Sequence, residues 1–174
     1  MKTNREKEFF PTPAWATEAL LTKEEFGPLV WEPACGDGAI SEVLKEHGYI
    51  VHSTDLYDHG YRYGVAEADF MDYHMVGCDI VTNPPFSLAE KFIRRGATLA
   101  HNKMALLLNT AFLGGQARAK DLFVHHPPSR VWVISKRITF YPKGEEVKNS
   151  GTQVHAWYVW DKGHIGPTQL GWLA

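Results

Sequence analysis

Asn83, Pro84, Pro85 and Phe86 stand directly after a short apolar run, Asp79-Ile80-Val81-Thr82. Paired prolines cannot continue a strand ladder, so the chain must turn sharply there. The stiff turn fixes the Asn83 amide and its neighbouring backbone. The Asn83 side-chain oxygen and the Pro84 carbonyl are both acceptors. Two acceptors converging on an NH2 group engage both of its protons. They draw a conjugated amine towards tetrahedral geometry and free its lone pair for attack. Phe86 offers a flat surface to the ring that bears the amine. An amide takes no proton near neutral pH, so Asn83 is an acceptor here and not a base. The competing reading is a purely structural Asn-Pro turn after a core strand, which Pro-Pro-aromatic in this context disfavours.

Three further features fall where strands should end. Glu32-Pro33-Ala34-Cys35-Gly36-Asp37-Gly38 follows a first apolar run. Its glycines allow a tight turn and close approach of backbone to a ligand. Asp55, followed by Leu56, closes a second run. An acid at that place can accept hydrogen bonds from both hydroxyls of a ribose. Asp69-Phe70 could accept from an adenine amino group and pack against its ring. Each signal is weak alone; in this order they specify an adenosine-binding crevice. A dinucleotide fingerprint needs a third glycine, and Ser41 occupies that place. A phosphate-free, cationic cofactor therefore suits the surplus of carboxylates, and S-adenosylmethionine is such a cofactor.

The elements that must position these groups follow from periodicity. Helical spacing is expected over 14–23, 40–47, 88–100 and 116–124, and strands over 28–32, 49–54, 79–82, 104–108, 130–135 and 155–160. Alternating strands and helices imply an α/β fold with a mostly parallel sheet covered by helices on both faces. The two late strands have no helix between them and are expected to form an antiparallel C-terminal hairpin at one sheet edge. Ligands of such sheets bind outside the carboxyl ends of the strands.

Composition excludes several classes. The chain has 174 residues, of which 44% are hydrophobic and 22% charged. That fits one globular domain, 1–174, and not a disordered chain. No apolar run reaches membrane-span length, and the N-terminus lacks a signal-type stretch, so a cytoplasmic protein is expected. Two cysteines, Cys35 and Cys78, make no disulfide framework. Nine histidines invite a metal, yet no Cys/His pair has zinc-type spacing, so no metal is expected. The backbone of Cys35 matters more than its thiol, and Trp15 either covers the cofactor or packs the first helix. The net charge of −2 hides an asymmetry. Residues 1–87 hold 6 Lys+Arg and 15 Asp+Glu, a net −9; residues 88–174 hold 12 and 5, a net +7. A basic half of this kind points to nucleic acid.

The chain resembles the amino-group methyltransferases, most closely the adenine-N6 DNA methyltransferases of bacteria and phages. Phe10-Pro11-Thr12-Pro13 looks like their N-terminal cofactor motif. Glu32 to Gly38 resembles the first-strand motif, Asp55 the second-strand acid, Ala68-Asp69-Phe70 the adenine-contacting motif, and Asn83 to Phe86 the catalytic motif. The motif order resembles the gamma arrangement. Phe112 to Arg118, Arg137-Ile138-Thr139-Phe140 and His155-Ala156-Trp157 resemble small phage-type members. The resemblance implies a Rossmann-like class I methyltransferase fold, with a mostly parallel seven-stranded sheet, that uses S-adenosylmethionine. It also implies a DNA substrate, with RNA adenine or a protein glutamine amide as alternatives. A catalytically silent nucleic-acid-binding subunit is a rival of another class. Gamma members usually carry a separate target-recognition domain, for which this sequence has no room. Recognition is then expected to come from loops, with 57–66, 111–120 and 141–153 as candidates, or from a partner, or not to exist; Phe140, Tyr141, Lys143 and Lys148 are the expected substrate contacts. Oligomeric state is not encoded in these motifs.

Overall fold

The computed structural model describes residues 8–138 and 153–174. Eight strands form one sheet: β1 Leu29–Glu32, β2 Ile50–Thr54, β3 Gly64–Val65, β4 Asp79–Thr82, β5 Lys103–Asn109, β6 Arg130–Ile134, β7 His155–Asp161 and β8 Gln169–Leu173. Their order is β3-β2-β1-β4-β5-β7-β6-β8. All pairings are parallel except those of β7, which runs antiparallel to both β5 and β6. The helices are α1 Ala14–Leu21, α2 Ala39–Glu46, α3 Ala89–Leu99, and the short α4 Gln116–Lys120 and α5 Leu122–His125.

Alternation along β5 sends side chains to two separate cores. Ala105 and Leu107 pack with Ala16 and Leu20 of α1 and Ile40 and Leu44 of α2. Met104, Leu106 and Leu108 pack with Phe92 and Ile93 of α3 and Leu122 of α5. Both faces of the sheet are thus covered, and its central strands are apolar on both sides, as a buried parallel sheet requires. Among the described residues no helix is long and apolar enough to cross a membrane.

Three expectations need correction. The sheet has eight strands among the described residues, not seven. β3 is two residues long and β8 is Gln-Leu-Gly-Trp-Leu, so neither carries a clean alternating pattern. Gly171 is required in β8 because a Cβ there would stand 2.2 Å from the Trp132 ring. The antiparallel hairpin does not lie at the edge: β7 inserts between β5 and β6, and β8 caps the outside of β6. The helix expected over 116–124 is broken at Asp121, whose φ of −130° is not helical.

The order places β1 between β2 and β4. The chain leaves β1 in one direction and returns to β4 on its other side. That reversal opens a crevice at the carboxyl ends of β1 and β4, the usual ligand position in such sheets.

Candidate active site

The β1–α2 turn builds one wall. β1 delivers Glu32 to its end, where the side chain is only 1% exposed. The turn then passes through Gly36 at φ +54° and Gly38 at φ +86°, the left-handed region that favours glycine. A Cβ on Gly36 would stand 2.2 Å from the Phe9 ring, so this glycine is also needed for close packing. The Gly36 N–H donates to Asp55 Oδ2 (2.8 Å), and the Tyr57 N–H donates to Asp55 Oδ1 (2.9 Å). Asp55 therefore ties the first turn to the end of β2. An ionised carboxylate has about four lone-pair sites, so each oxygen keeps acceptor capacity for a ligand.

Glu32 is held differently. Its Oε2 accepts from the Ser41 hydroxyl, and Ser41 Oγ lies 2.5 Å from Ser53 Oγ. No cation meets it. Burial pushes its carboxyl well above the usual range, the Ser41 bond opposes this, and the charges of Asp55 and Asp37 push it further up. Burial likewise raises the Cys35 thiol far beyond its ordinary value, so it is an inert wall and not a nucleophile.

The opposite wall is the turn after β4. Asn83 and Pro85 line the cavity, while Pro84 is buried behind it. The Asn83 amide nitrogen donates to Thr12 Oγ1 (3.1 Å) and to the Phe10 carbonyl (3.4 Å). Phe86 is half-buried beside the cavity, with its ring 6.4 Å from that of Phe10 and 6.1 Å from that of His155. Asp69 and Phe70 line the floor; Asp69 Oδ1 accepts from the Met71 N–H (2.8 Å), and Phe70 stacks on Phe92 at 4.4 Å.

Residues 8–12 run across both walls. Glu8 accepts from the Ser87 N–H and hydroxyl (both 3.1 Å), beside the Asn-Pro-Pro turn. Phe9 stacks on His59 at 4.2 Å, and the His59 ring lies 3.7 Å from Asp55.

One cavity thus gathers Phe10, Thr12, Glu32, Pro33, Ala34, Gly36, Asp55, Leu56, Asp69, Phe70, Asn83 and Pro85 of the residues singled out in the sequence. Pro13, Asp37, Gly38, Pro84 and Phe86 do not line it. Pro13 and Gly38 instead stand at the starts of α1 and α2. Phe140, Tyr141, Lys143 and Lys148 lie outside the described residues. Trp15 is not a cover: it packs with the α1–α2 core, under the Lys136 ammonium at 4.6 Å. Glu8, Phe9, Leu88 and Phe92, not singled out in the sequence, also line the cavity, as do Tyr57 and His59, which the sequence placed in a recognition loop. The first two adjoin the Phe-Pro-Thr-Pro motif, and His59 sits four residues after Asp55; proximity was the available signal. Among the described residues no group of three His, Cys, Asp or Glu is arranged to hold a metal ion.

No family model matches the chain, and no curated protein matches it in sequence. Solved structures do match its shape. A protein from Listeria monocytogenes, assigned as a class I S-adenosylmethionine-dependent methyltransferase, superposes with TM-score 0.63 at 14% identity, over 99% of this chain and 67% of that one. The fold is that of the class I methyltransferases. A protein from Pyrococcus horikoshii assigned as an RNA methyltransferase gives 0.62 at 14% identity, over 87% of this chain and 81% of that one. A chain from Vibrio vulnificus, assigned as the modification subunit of a type I restriction enzyme, gives 0.59 at 15% identity. That match covers 95% of this chain and 46% of the Vibrio one. In this methyltransferase fold the cavity occupies the β1/β4 switch point.

Six of the twelve Lys and Arg of residues 88–174 bond within the protein. Arg130 and Lys103 pair with Glu24, Arg94 with Asp121 and Arg118 with Glu90. Arg95 donates to the Phe70 and Tyr73 carbonyls, and Lys162 to the Ala100 carbonyl. The +7 of residues 88–174 is therefore a poor measure of the charge offered to a polymer.

Proposed function

We propose that the chain is an S-adenosylmethionine-dependent methyltransferase acting on the exocyclic N6 of adenine in DNA. One observation carries this reading: Asn83, at the end of β4, shares a cavity with Glu32, Gly36, Asp55 and Asp69. An amine-activating amide and an adenosine-type acidic wall thus face one volume.

The donor set fits the cofactor. Among the described residues no Lys or Arg lines the cavity, whereas Glu32, Asp55 and Asp69 do. A phosphate-bearing ligand would want cations; a cationic, phosphate-free adenosyl group suits carboxylates. Asp55 is placed to accept from the ribose hydroxyls, and Asp69 with Phe70 to hold the adenine. Bound S-adenosylmethionine supplies an electrophilic methyl group. Asn83 and the Pro84 carbonyl accept the two N–H groups of the target amine and aim its lone pair. The proton released leaves to water, since Asn83 cannot take it. Positioning and hydrogen-bond polarisation supply the rate. Phe86 is the surface proposed to receive the base, which in a duplex must first be flipped out.

The choice of DNA rests on the Asn-Pro-Pro-Phe motif and the gamma-like motif order. The test is nucleoside mass spectrometry of DNA and RNA incubated with protein and cofactor. N6-methyladenine should accumulate in DNA. Methylation confined to RNA would overturn the polymer and leave the amine chemistry standing; methylation of neither nucleic acid nor protein amides would overturn both.

A further inference from the structure

An amide side chain acts as an acceptor towards substrate only if its oxygen, and not its nitrogen, faces the reacting group. The two ends are sterically alike, so something must choose between them. At Asn83 the choice is made by residues 10 and 12. The Phe10 carbonyl can only accept, so the group that meets it must be the NH2. The Thr12 hydroxyl, 3.1 Å from the same nitrogen, takes the second proton. Both amide protons thereby point away from Oδ1, to which no donor among the described residues is bonded. Thr12 is 4% exposed, and the following α1 holds it: Pro13 starts that helix and the Pro13 carbonyl accepts from the Ala16 N–H at 2.9 Å.

We infer that Thr12 is a positioning residue for Asn83, fixing the amide so that Oδ1 is presented to the target amine. This rests on the function proposed above, and it differs from the sequence expectation that Thr12 contacts cofactor. The same short segment reaches the two walls. Phe9 lies on Gly36 and stacks on His59, while Glu8 holds Ser87. Residues 8–12 thus join the wall carrying the acids to the wall carrying the amide, and alignment of Asn83 depends on a segment outside its own turn.

The test pairs Thr12→Val, which keeps the shape and removes the acceptor, with Thr12→Ser, which keeps the hydroxyl. Turnover is measured at saturating cofactor and DNA, cofactor affinity by calorimetry, and the Asn83 side-chain amide by NMR hydrogen exchange. The valine variant should lose about tenfold in kcat, the scale of one hydrogen bond in the transition state. Its cofactor affinity should stay within about twofold of wild type, and its Asn83 amide protons should exchange faster. Serine should restore turnover and protection. Equal loss of cofactor affinity and turnover would make Thr12 a cofactor ligand and overturn the inference, as would unchanged turnover in the valine variant. An inactive wild type would defeat the proposed function alone, because the amide-exchange comparison still decides whether Thr12 orients Asn83.

Discussion

Two buried glutamates at opposite ends of the sheet show what pairing does to a carboxylate. Glu24 lies by the amino ends of the parallel strands and is 3% exposed; Glu32 lies at the carboxyl end of β1 and is 1% exposed. Glu24 accepts from Arg130 Nε and a second Arg130 nitrogen (2.5 and 2.9 Å), from Trp132 Nε1 (2.9 Å) and from Lys103 (3.0 Å). Burial alone would raise its pKa, but the bonds from Arg130, Trp132 and Lys103 outweigh it and hold the group below its ordinary value. Glu32 meets the hydroxyl and backbone of Ser41 and neighbouring acids, and burial sends its pKa the other way. At the amino ends charge is neutralised inside the fold. At the carboxyl ends the acid stands beside a cavity with, among the described residues, no Lys or Arg against it, which is the arrangement expected where a ligand brings the counter-charge.

The comparison breaks first at Glu24. Glu24→Ala leaves the Trp132 N–H without its acceptor and leaves Arg130 and Lys103 with Asp161 as their remaining carboxylate, and should cost about 2–3 kcal/mol of stability. Urea denaturation should show it, and a change under about 1 kcal/mol would mean the network is ornamental. Asn83→Ala, at the other end, should leave stability nearly unchanged and reduce kcat by roughly 10²–10³-fold, the scale of losing one preorganised polar contact to the reacting group. Steady-state kinetics near wild type would reduce the Asn-Pro-Pro turn to a structural bend.

Asp55→Ala should weaken cofactor binding by about 1.5–3 kcal/mol. Because Asp55 also accepts from Gly36 and Tyr57, part of that loss is a loosened turn; Asp55→Asn keeps one acceptor and should lose less. The smallest effect is one of pH. A carboxyl whose folded pKa is raised stabilises the fold below its ordinary 4.5 and loses that contribution as pH rises through the folded value. Glu24, with its pKa lowered, has the opposite sign: its contribution is present above 4.5 and lost as pH falls through the folded value. Glu32→Gln should therefore flatten the decline of ligand-free stability above pH 4.5, and Glu24→Gln the decline in acid. Denaturation midpoints across pH that leave either slope in place would contradict the assignment.

Much of this was legible in the sequence for a physical reason. Strand ends in a parallel sheet carry turn residues at fixed places, so Glu32, Asp55 and Asn83 could be ordered along the chain before their positions were known. What could not be read was pairing through space. Nothing local marks Glu24 as the partner of Arg130, 106 positions away. Nor does it mark the Asn83 amide as the partner of Thr12, 71 positions away. The short β3 and the Gly171-containing β8 were missed because two residues show no period, and because a glycine chosen to admit Trp132 interrupts the pattern. The charge asymmetry was legible in composition, but the sequence did not show which cations bond within the fold, as Arg130, Lys103 and Arg95 do.

A cavity lined by Glu32, Asp55 and Asp69 and, among the described residues, by no Lys or Arg should hold a cationic adenosyl ligand. The most direct test is calorimetric titration of S-adenosylmethionine into the wild type, Asp55→Asn and Asn83→Ala. The account predicts one site in the wild type, weaker binding to the Asp55 variant and unchanged binding to the Asn83 variant. No binding to the wild type, or equal binding to the Asp55 variant, would contradict it.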